Sequence, residues 1–508
     1  MRSVLLNGRA ITIEDLDDLA HQRAEPNLPL SDETARELDA GADYLLSCIE
    51  QDESIYGITT GYGEDCRVQV SGPQAFRLPT HLVRYHGCGT GELLAPEQTI
   101  AVMVLSYNSI YRGFSGVRSE LVRRLGALLQ HKILPCIPAE GSVGASGDLT
   151  PLSYIAATIM GEREVLYRGS IRPSREALKA IGLEPLVLAP KEALALMNST
   201  AVLTGLAALA HRRARYVARI AAAIAGMIMD VKGSRREHMD QRIFELKPHP
   251  GQLRCAGWIR EYVQHEDREE PPQRRIQDRY SLRCSAHVIG ALMDMLPWAR
   301  QIIETEMASV NDNPLILHRQ RAVLHGCNFY GGHIGLVMDT LKTATASIAD
   351  LVDRQLMLLL NAGKEYNLPI NLNGAANEEQ AFNHGFKAMQ ITASALTAEA
   401  LRNTMPATSF SRSTESHNQD KVSMGTIAAR DAHGILDLTE KVLAIGLLCA
   451  AQAVDLRGSQ HCSPASRTLR DHIRRDIPMV TEDRRMDVDI SLALNWIRQR
   501  RLPVRDDG

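Results

Sequence analysis

The stretch "IGLVMDTLKTATASIADLV", residues 334–352, places its apolar side chains on one face of a long helix. Those side chains are Ile334, Val337, Met338, Leu341, Ile348, Leu351 and Val352. Their spacings of three, four and seven follow the 3.6-residue turn of a helix, whereas a strand would alternate at every second residue. The stretch therefore predicts an amphipathic helix of about five turns that buries one continuous stripe.

Other segments repeat this pattern, and strand signals are rare after the N-terminus. Further long helices are expected over residues 193–230, 285–309, 380–403 and 428–456. Helices of such length favour a bundle over any sheet architecture. The sequence thus predicts a mainly α fold, a superbundle of long antiparallel helices. We expect a small mixed N-terminal region over residues 1–190 and the helix bundle over residues 191–508.

Two segments are expected to differ from the bundle. A hairpin around Asn7-Gly8 should open the chain, followed by a helix that Thr12 caps with Asp15 as a weak capping box. Residues 231–279 are dense in charge and proline, which indicates an extended surface excursion with short helical pieces.

Composition limits the partners of the chain. A net charge of -3 over 508 residues gives no reason to expect nucleic acid or an anionic membrane. The N-terminus lacks the apolar core of a signal peptide, and the longest apolar stretches, residues 220–229 and 442–454, are too short to span a bilayer. Nine cysteines without CxxC pairs favour a reducing cytoplasm. A small molecule or another copy of the chain is the expected partner.

Glycine and polar residues gather in five loop patches where a helical scaffold would carry chemistry: residues 56–65, 86–92, 141–148, 325–333 and 408–420. The third patch reads "GSVGASGD". One interpretation is a plain turn into a helix, with Thr150 as N-cap and Pro151 at the first helical position. Ser146 has no neighbouring His or Cys and no GxSxG frame, so it is not an ordinary nucleophile.

A covalent alternative uses the backbone of this patch. If the Gly147 nitrogen attacks the Ala145 carbonyl and two waters leave, Ser146 becomes a dehydroalanine inside a 4-methylidene-imidazol-5-one (MIO) ring. Gly147 offers an unhindered nitrogen, and the flanking glycines tolerate a strained backbone. A helix that begins just afterwards would direct its positive end toward the ring and make it more electrophilic.

Seven motifs in order along the chain carry a resemblance to a known family. They are "YGITTGYG" (56–63), "GSVGASGDLTPLS" (141–153), "EALALMNST" (192–200), "QDRYSLRC" (277–284), "SVNDNPL" (309–315), "NFYGGH" (328–333) and "HNQDKVSMGT" (417–426). Together they resemble the histidine and aromatic amino acid ammonia-lyases and aminomutases, closest to the tyrosine-type bacterial members. This resemblance implies that the MIO group forms autocatalytically from Ala145, Ser146 and Gly147. It implies no metal and no diffusible cofactor.

The resemblance also assigns catalytic roles outside the ring. Tyr56 matches the tyrosine that takes the β-proton of the substrate. Because a free tyrosine is a poor base at neutral pH, the site must lower its pKa, or the proton must leave in concert with its transfer. Asn198 and Tyr280 match residues that hydrogen-bond the ring or the adduct.

Substrate-binding roles follow in the same way. Arg283 matches the arginine that clamps the substrate carboxylate, a bidentate role that suits a guanidinium. Gln277 and Phe329 match positions that line the pocket. The family implies a homotetramer in which each site takes residues from three subunits.

Two positions bear on the substrate. Histidine-specific members carry a glutamate where this chain has Gln419, so the neutral amide argues against histidine. The ring-recognition pair is Tyr85-His86, which differs from the Phe-Leu, His-Leu and Ser-His pairs usual in the family. A phenol and an imidazole around a bare phenyl ring would stay unpaired, at about 1–3 kcal/mol each, so we expect L-tyrosine or L-DOPA rather than L-phenylalanine. Alternatively, His86 only bonds a backbone carbonyl or water.

Several functions remain open from the sequence. An aminomutase shares every step of an ammonia-lyase and re-adds the ammonia at the β-carbon, and product retention decides between them. A histidine ammonia-lyase is the other family alternative. The fumarase and aspartase type of lyase is disfavoured because its "GSSxMPxKxN" loop is absent. A helical scaffold whose loop never cyclises would have no activity.

Overall fold

Helices dominate the computed structural model, which describes residues 2–263, 276–361, 368–376 and 378–504. They are α1 (Ile13–Ala20), α2 (Asp32–Glu50), α3 (Gly72–Ala75), α4 (Leu78–Tyr85), α5 (Pro96–Ile110), α6 (Ser119–Gln130), α7 (Leu149–Ile159), α8 (Ser174–Ala180), α9 (Glu192–Met197), α10 (Ala201–Lys232), α11 (Gln241–Glu245), α12 (Pro250–Arg260), α13 (Tyr280–Arg283), α14 (Ser285–Met307), α15 (Gly332–Leu360), α16 (Lys387–Arg402), α17 (Gly425–Arg457), α18 (Pro464–Arg474) and α19 (Asp487–Arg498). The mainly α fold class is thereby confirmed.

The strands are short and form four small sheets within the described residues. They are β1 (Arg2–Leu5), β2 (Ala24–Asn27), β3 (Thr90–Leu93), β4 (Leu134–Pro135), β5 (Pro138–Glu140), β6 (Glu164–Tyr167), β7 (Ser170–Pro173), β8 (Leu315–Leu317) and β9 (Ala322–Leu324). Strands β1 and β2 pair in parallel, whereas β3–β5, β4–β6–β7 and β8–β9 are antiparallel.

The hairpin expected at Asn7-Gly8 is wrong. Gly8 does turn, with φ 77°, but the chain then enters α1 and returns as β2, with Arg2 opposite Ala24. Parallel strands need such a crossover, and here the helix supplies it. The capping box is confirmed: the Thr12 hydroxyl accepts from the Asp15 amide at 3.1 Å, and the Asp15 carboxylate accepts from the Thr12 amide at 3.0 Å.

The expected long helices are present, with one informative interruption. Helices α14 and α17 match the predicted segments closely, α15 continues eight residues past residue 352, and α16 begins at Lys387, seven residues after the predicted start at 380. The helix expected over residues 193–230 is instead broken into α9 and α10. Asn198 lies in the break with ψ 56°, outside the helical region. The Asn198 amide still donates to the Leu194 carbonyl at 2.8 Å, but the Ser199 carbonyl accepts from the Asp148 amide at 2.9 Å instead of from the next helical turn.

The chain divides into two compact units. The first comprises Met1–Arg212, Arg300–Asp339 and Pro406–Arg430, and the second comprises Arg213–Ala299, Thr340–Met405 and Asp431–Gly508. The sequence-based division at residue 190 separates regions by composition rather than by compactness, and it stays a prediction.

The proline-rich segment 231–279 is partly as expected. Short helices α11 and α12 are present, but they bury Phe244 and Trp258 in the second unit, so this part of the segment is packed rather than extended. Residues 264–275 of the predicted excursion lie outside the described residues.

One stretch, Glu192–Lys232, is long and apolar enough to cross a membrane by length and composition among the described residues. Its most apolar window is fully buried, as is usual for a helix in a protein core.

Glycines allow two helices of the second unit to approach closely. A Cβ atom on Gly251 of α12 would lie 2.4 Å from the Gly290 carbonyl oxygen, and one on Gly290 of α14 would lie 2.7 Å from the Gln252 backbone. Only glycine at both positions permits this contact between backbones.

We expect Gly290→Ala to destabilise the protein by about 1–3 kcal/mol, because the new methyl group would push α12 and α14 apart. The matched control is Gly257→Ala in α12, where a Cβ would meet only Arg260 Nη2 at 3.7 Å. That control should stabilise its helix by about 0.5–1 kcal/mol. Differential scanning calorimetry of both variants checks the pair, and an unchanged unfolding temperature for Gly290→Ala would contradict the packing described.

Candidate active site

The five loop patches meet around one cavity in the first compact unit. The cavity has a volume of about 1170 Å³. Nine of the twelve site residues expected from the sequence line it: Tyr56, Tyr85, His86, Ala145, Ser146, Gly147, Asn198, Phe329 and Gln419. Loops that lie more than 350 residues apart in the chain thus line the same cavity.

The loop formed by Ala145, Ser146 and Gly147 packs against the break between α9 and α10. Gly141, Gly144 and Gly147 all have positive φ, at 118°, 64° and 68°. A Cβ on Gly147 would lie 2.4 Å from the Ser199 carbonyl oxygen. Residue 147 must therefore be glycine for two reasons, its left-handed φ and the approach of the Ser199 peptide.

Two further contacts hold the loop from the other side. The Gly144 carbonyl accepts from the Ser423 amide at 3.2 Å and from the Ser423 hydroxyl at 3.1 Å. The Met424 amide donates to the Val143 carbonyl at 3.0 Å. The loop is therefore fixed at both ends while Ser146 faces the cavity.

Asp148 ends the loop and explains where the next helix begins. Its buried carboxylate accepts from the Ser142 hydroxyl at 2.8 Å, from the Leu203 amide at 2.9 Å and from the Thr426 hydroxyl. Burial raises the pKa of Asp148, and these donors act in the opposite direction. Helix α7 begins at Leu149, so the expectation that Thr150 caps it was wrong by two residues.

The amide of Gln419 has a fixed orientation. Its Oε1 accepts from the Thr414 hydroxyl at 2.8 Å, and its Nε2 donates to the Ser146 hydroxyl at 3.2 Å. Backbone hydrogen bonds in both directions join Thr414 and Gln419 across a tight turn. Within that turn Glu415, Ser416 and His417 have φ of 52°, 52° and 67°. Three consecutive left-handed residues without glycine are costly, and such strain is usual at functional sites.

Tyr56 projects its hydroxyl toward the Gly63 amide, which donates to it at 2.9 Å. Burial raises the pKa of Tyr56; the Gly63 hydrogen bond lowers it, and the Glu415 charge raises it further. The net direction is upward, so a single chain does not provide the lowered pKa that the sequence analysis offered as one option. Tyr56 can then act as a base through its phenolate, whose fraction grows as the pH rises.

Glu415 is a cavity residue that the sequence analysis missed. Both of its carboxylate oxygens accept from the Glu64 amide, at 2.9 and 3.1 Å. A Cβ on Gly63 would lie 2.2 Å from the same carboxylate. Glu415 thus joins the Tyr56 loop to the Gln419 turn. No local pattern marks it, because its partner is 351 positions away.

The pair Tyr85-His86 lies at the C-terminal end of α4. The two rings stack with centroids 4.3 Å apart. His86 Nδ1 lies 3.0 Å from the Leu82 carbonyl, to which it donates as the neutral tautomer. Burial lowers the pKa of His86, and the charge of Arg163 lowers it further. A neutral His86 that bonds a backbone carbonyl through Nδ1 keeps an acceptor at Nε2.

Asn198 is held by a buried ion pair behind it. Its Nδ2 donates to the Asn313 carbonyl at 3.0 Å, while its buried Oδ1 has no partner in the described part of the chain. Next to Asn313, Asp312 forms a fully buried pair with Lys191 at 2.5 Å. The pair fixes the start of α9 relative to the Asn313 segment, and so it positions the Asn198 amide.

Gln277, Tyr280 and Arg283 belong to the second compact unit and are not among the residues that line the cavity of a single chain. Gln277 and Tyr280 are exposed, and the Arg283 guanidinium stacks on the Tyr280 ring at 4.5 Å. The roles expected for these three residues stay predictions. Over the described residues, the structure contains no cluster of three or more His, Cys, Asp or Glu side chains that could hold a metal.

Known proteins resemble this chain over nearly its whole length. The sequence profile of the family described as "Aromatic amino acid lyase" matches residues 11–475. A histidine ammonia-lyase of Geobacillus sp. (strain WCH70) is 34% identical over 496 residues, which cover 97% of this chain and 96% of that protein.

Two solved structures share the fold. The tyrosine aminomutase from Streptomyces globisporus has a TM-score of 0.91 and 33% identity, over 98% of this chain and 97% of that one. The histidine ammonia-lyase from Trypanosoma cruzi has a TM-score of 0.88 and 29% identity, over 98% and 94%. Because the profile covers most of the chain and the identity exceeds 30% over almost all of it, this protein belongs to the aromatic amino acid lyase family, whose members include carbon-nitrogen lyases.

Proposed function

We propose that this protein is an MIO-dependent ammonia-lyase that eliminates ammonia from L-tyrosine, or from the related L-DOPA or L-phenylalanine, to give a trans-coumarate-type arylacrylate. One observation carries the proposal. The Ala145-Ser146-Gly147 loop faces the same cavity as Tyr56, Gln419 and the Tyr85-His86 pair.

The residues around the loop fit the MIO group. The bare α-carbon of Gly147 sits against the Ser199 peptide, where no side chain has room. Among the described residues the buried Asn198 Oδ1 has no partner, as expected of an acceptor available to another group in the cavity. Ala145, Ser146 and Gly147 would form the ring, and the Asn198 Oδ1 would accept from the amine of the substrate beside it, because the cyclised ring carries no N–H or O–H donor. Once formed, the ring supplies an electrophilic carbon that takes the substrate amine.

The remaining cavity residues handle the proton. Tyr56 would accept the β-proton at its phenolic oxygen. The Gly63 amide, which donates to that oxygen at 2.9 Å, stabilises the charge of the base form. Glu415 would hold the Tyr56 loop in place through the Glu64 amide.

Two neutral side chains support a ring with a hydroxyl group. Gln419 is an amide fixed by Thr414, so it offers no charge to an imidazolium. His86 Nε2 is an acceptor that a phenolic hydroxyl could donate to, whereas a phenyl ring would leave it unpaired. A histidine ammonia-lyase, the activity in the name of the Geobacillus relative, is less favoured on these grounds.

A tyrosine 2,3-aminomutase is the second candidate. The solved structure with TM-score 0.91 is a tyrosine aminomutase, and the two activities differ only in whether ammonia returns to the β-carbon. Phenylalanine 2,3-aminomutase activity is the corresponding option for an unsubstituted ring.

We further propose a homotetramer, in which another copy supplies Gln277, Tyr280 and Arg283 to the cavity. The exposure of Gln277 and Tyr280 supports this assignment, since side chains that bind substrate need not be buried within one chain. The nine cysteines are all free, which supports a reducing compartment such as the cytoplasm.

Intact-mass measurement tests the proposed cofactor. The purified protein should be lighter than its sequence mass by two waters, and tandem mass spectrometry should place the loss at residues 145–147. Ser146→Ala should have the full sequence mass and no lyase activity, because the dehydroalanine cannot form. A wild-type protein with full mass would refute the MIO proposal.

Tyr56→Phe should lower kcat by about 100- to 10 000-fold, since no phenolic oxygen would accept the β-proton. Because the pKa of Tyr56 is raised, the residue is protonated at neutral pH, and kcat/KM of the wild type should rise as the pH becomes alkaline. The neighbouring Tyr62, whose ring packs edge-on at 6.5 Å, gives the control Tyr62→Phe, which should keep the alkaline rise. A flat wild-type profile would contradict this role of Tyr56.

Gln419→Glu should shift preference toward histidine. We expect kcat/KM for histidine relative to tyrosine to rise about tenfold, or ~1.4 kcal/mol, because a carboxylate can pair with the imidazole. Absorbance assays with tyrosine, phenylalanine, L-DOPA and histidine measure the ratio, and chiral chromatography for β-amino acid separates lyase from aminomutase. Preferred turnover of histidine by the wild type would overturn the interpretation of Gln419.

A further inference from the structure

Arg163 packs against the end of the helix that carries the Tyr85-His86 pair. It lies in the turn after α7 with a left-handed φ of 65°. Its Nη2 donates to the Val83 carbonyl at 2.7 Å, and its Nη1 donates to the Ser153 hydroxyl at 2.9 Å. The guanidinium therefore bridges α4 and α7 directly behind the proposed ring-recognition pair.

The surroundings of the guanidinium are shaped to it. A Cβ on Gly87 would lie 2.1 Å from Arg163 Nη2, so a side chain after His86 would displace the guanidinium from this position. On another side the guanidinium lies 4.2 Å from the centre of the Tyr154 ring. A planar cation that donates in two directions and stacks on an aromatic face is a task for arginine rather than lysine.

Hydrogen bonds to the last carbonyls of α4 connect Arg163 to the backbone around His86. The final carbonyls of a helix have no partners within it, and Arg163 satisfies the one at Val83. The Ser153 hydroxyl, which accepts from Arg163, points its proton toward the carbonyls of Thr150 at 2.7 Å and His86 at 3.3 Å. A cation at a helix C-terminus is also favoured by the helix dipole.

The charged groups near His86 also affect its protonation state. Burial lowers the pKa of His86, the hydrogen bond to Leu82 acts in the opposite direction, and the nearby Arg163 cation lowers the pKa further, so the net direction is downward. Arg84 and Glu162, the other charged groups at this helix end and turn, pair with each other at 2.6 Å. The imidazole is thus kept neutral, with Nδ1 committed to the Leu82 carbonyl.

We propose that Arg163 is a positioning residue for substrate selection: it holds the last turn of α4 so that a neutral His86 presents its Nε2 acceptor to a hydroxyl group on the substrate ring. This inference rests on the proposed function, in which His86 faces that ring. It assigns selectivity to a residue in the turn after α7, which does not line the cavity.

The neighbouring ion pair provides a matched control. Arg84 joins the same helix end to the same turn through Glu162, but its side chain is 59% exposed and touches neither the Val83 carbonyl nor Ser153 in any hydrogen bond of the structure's described residues. Arg84→Met therefore removes one link between α4 and the turn without removing the support of His86.

The first test compares tyrosine with phenylalanine as substrates. Arg163→Met should lower the ratio of kcat/KM for tyrosine to that for phenylalanine about tenfold, and Arg163→Lys should fall between it and the wild type. Arg84→Met should keep the wild-type ratio. An unchanged ratio in Arg163→Met, or an equal loss for both substrates, overturns the proposal.

The second test needs no turnover. Carbethoxylation of His86 by diethyl pyrocarbonate, followed by peptide mass spectrometry between about pH 5 and pH 8, reports the neutral imidazole. The pH midpoint should rise in Arg163→Met, because the nearby cation is gone, and stay in place in Arg84→Met. If the wild type does not convert tyrosine, the proposed function fails, and this midpoint alone decides the role of Arg163: an unchanged value overturns it.

Discussion

The approach of the Gly147 α-carbon to the Ser199 peptide is the contact on which the candidate site depends. It requires glycine on one side and a helix that stops on the other, because a continuous helix from 193 to 230 would not present the Ser199 backbone in this way. The Asp148 amide donates to the Ser199 carbonyl at 2.9 Å, and the Asp148 carboxylate accepts from Leu203 in the first turn of α10. One break in a long buried helix thus positions the Ala145-Ser146-Gly147 loop and places Asn198 beside it.

Around this seat, the cavity is lined largely by groups that are neutral at neutral pH. Tyr56 has a raised pKa, His86 a lowered one, and Gln419 is an amide. The charged lining residues are Asp65, Glu415, Asp420 and Lys421, and the Glu415 carboxylate is turned toward the backbone of the Tyr56 loop. A low density of charge suits the proposed reaction, in which an electrophile would have to stay reactive and an aromatic ring would be desolvated.

Local sequence patterns predict the long helices and most of the cavity residues, but not the contacts between distant segments. The 3.6-residue period predicted α14, α15 and α17, and nine expected residues line one cavity because each lies in a short motif. The break at Asn198 could not be read from periodicity, since the apolar pattern continues through it. The positions of Glu415 and Arg163 at the site could not be predicted, because their contacts, to Glu64 and Val83, join distant segments of the chain. The hairpin at Asn7-Gly8 failed because a turn signal does not reveal which strand the chain will pair with later.

The turn from Thr414 to Gln419 has a consequence for engineering. Three successive residues there, Glu415, Ser416 and His417, adopt a backbone that glycine would adopt without penalty. Glycine at Ser416 would relieve left-handed strain of about 1–2 kcal/mol, partly offset by the cost of about 0.4–1 kcal/mol that glycine carries through the freedom of the unfolded chain. The same change would free the turn to move and release the Gln419 amide from its fixed orientation. Under the proposed role of Gln419, stability and discrimination among amino acids would compete for the same few backbone angles.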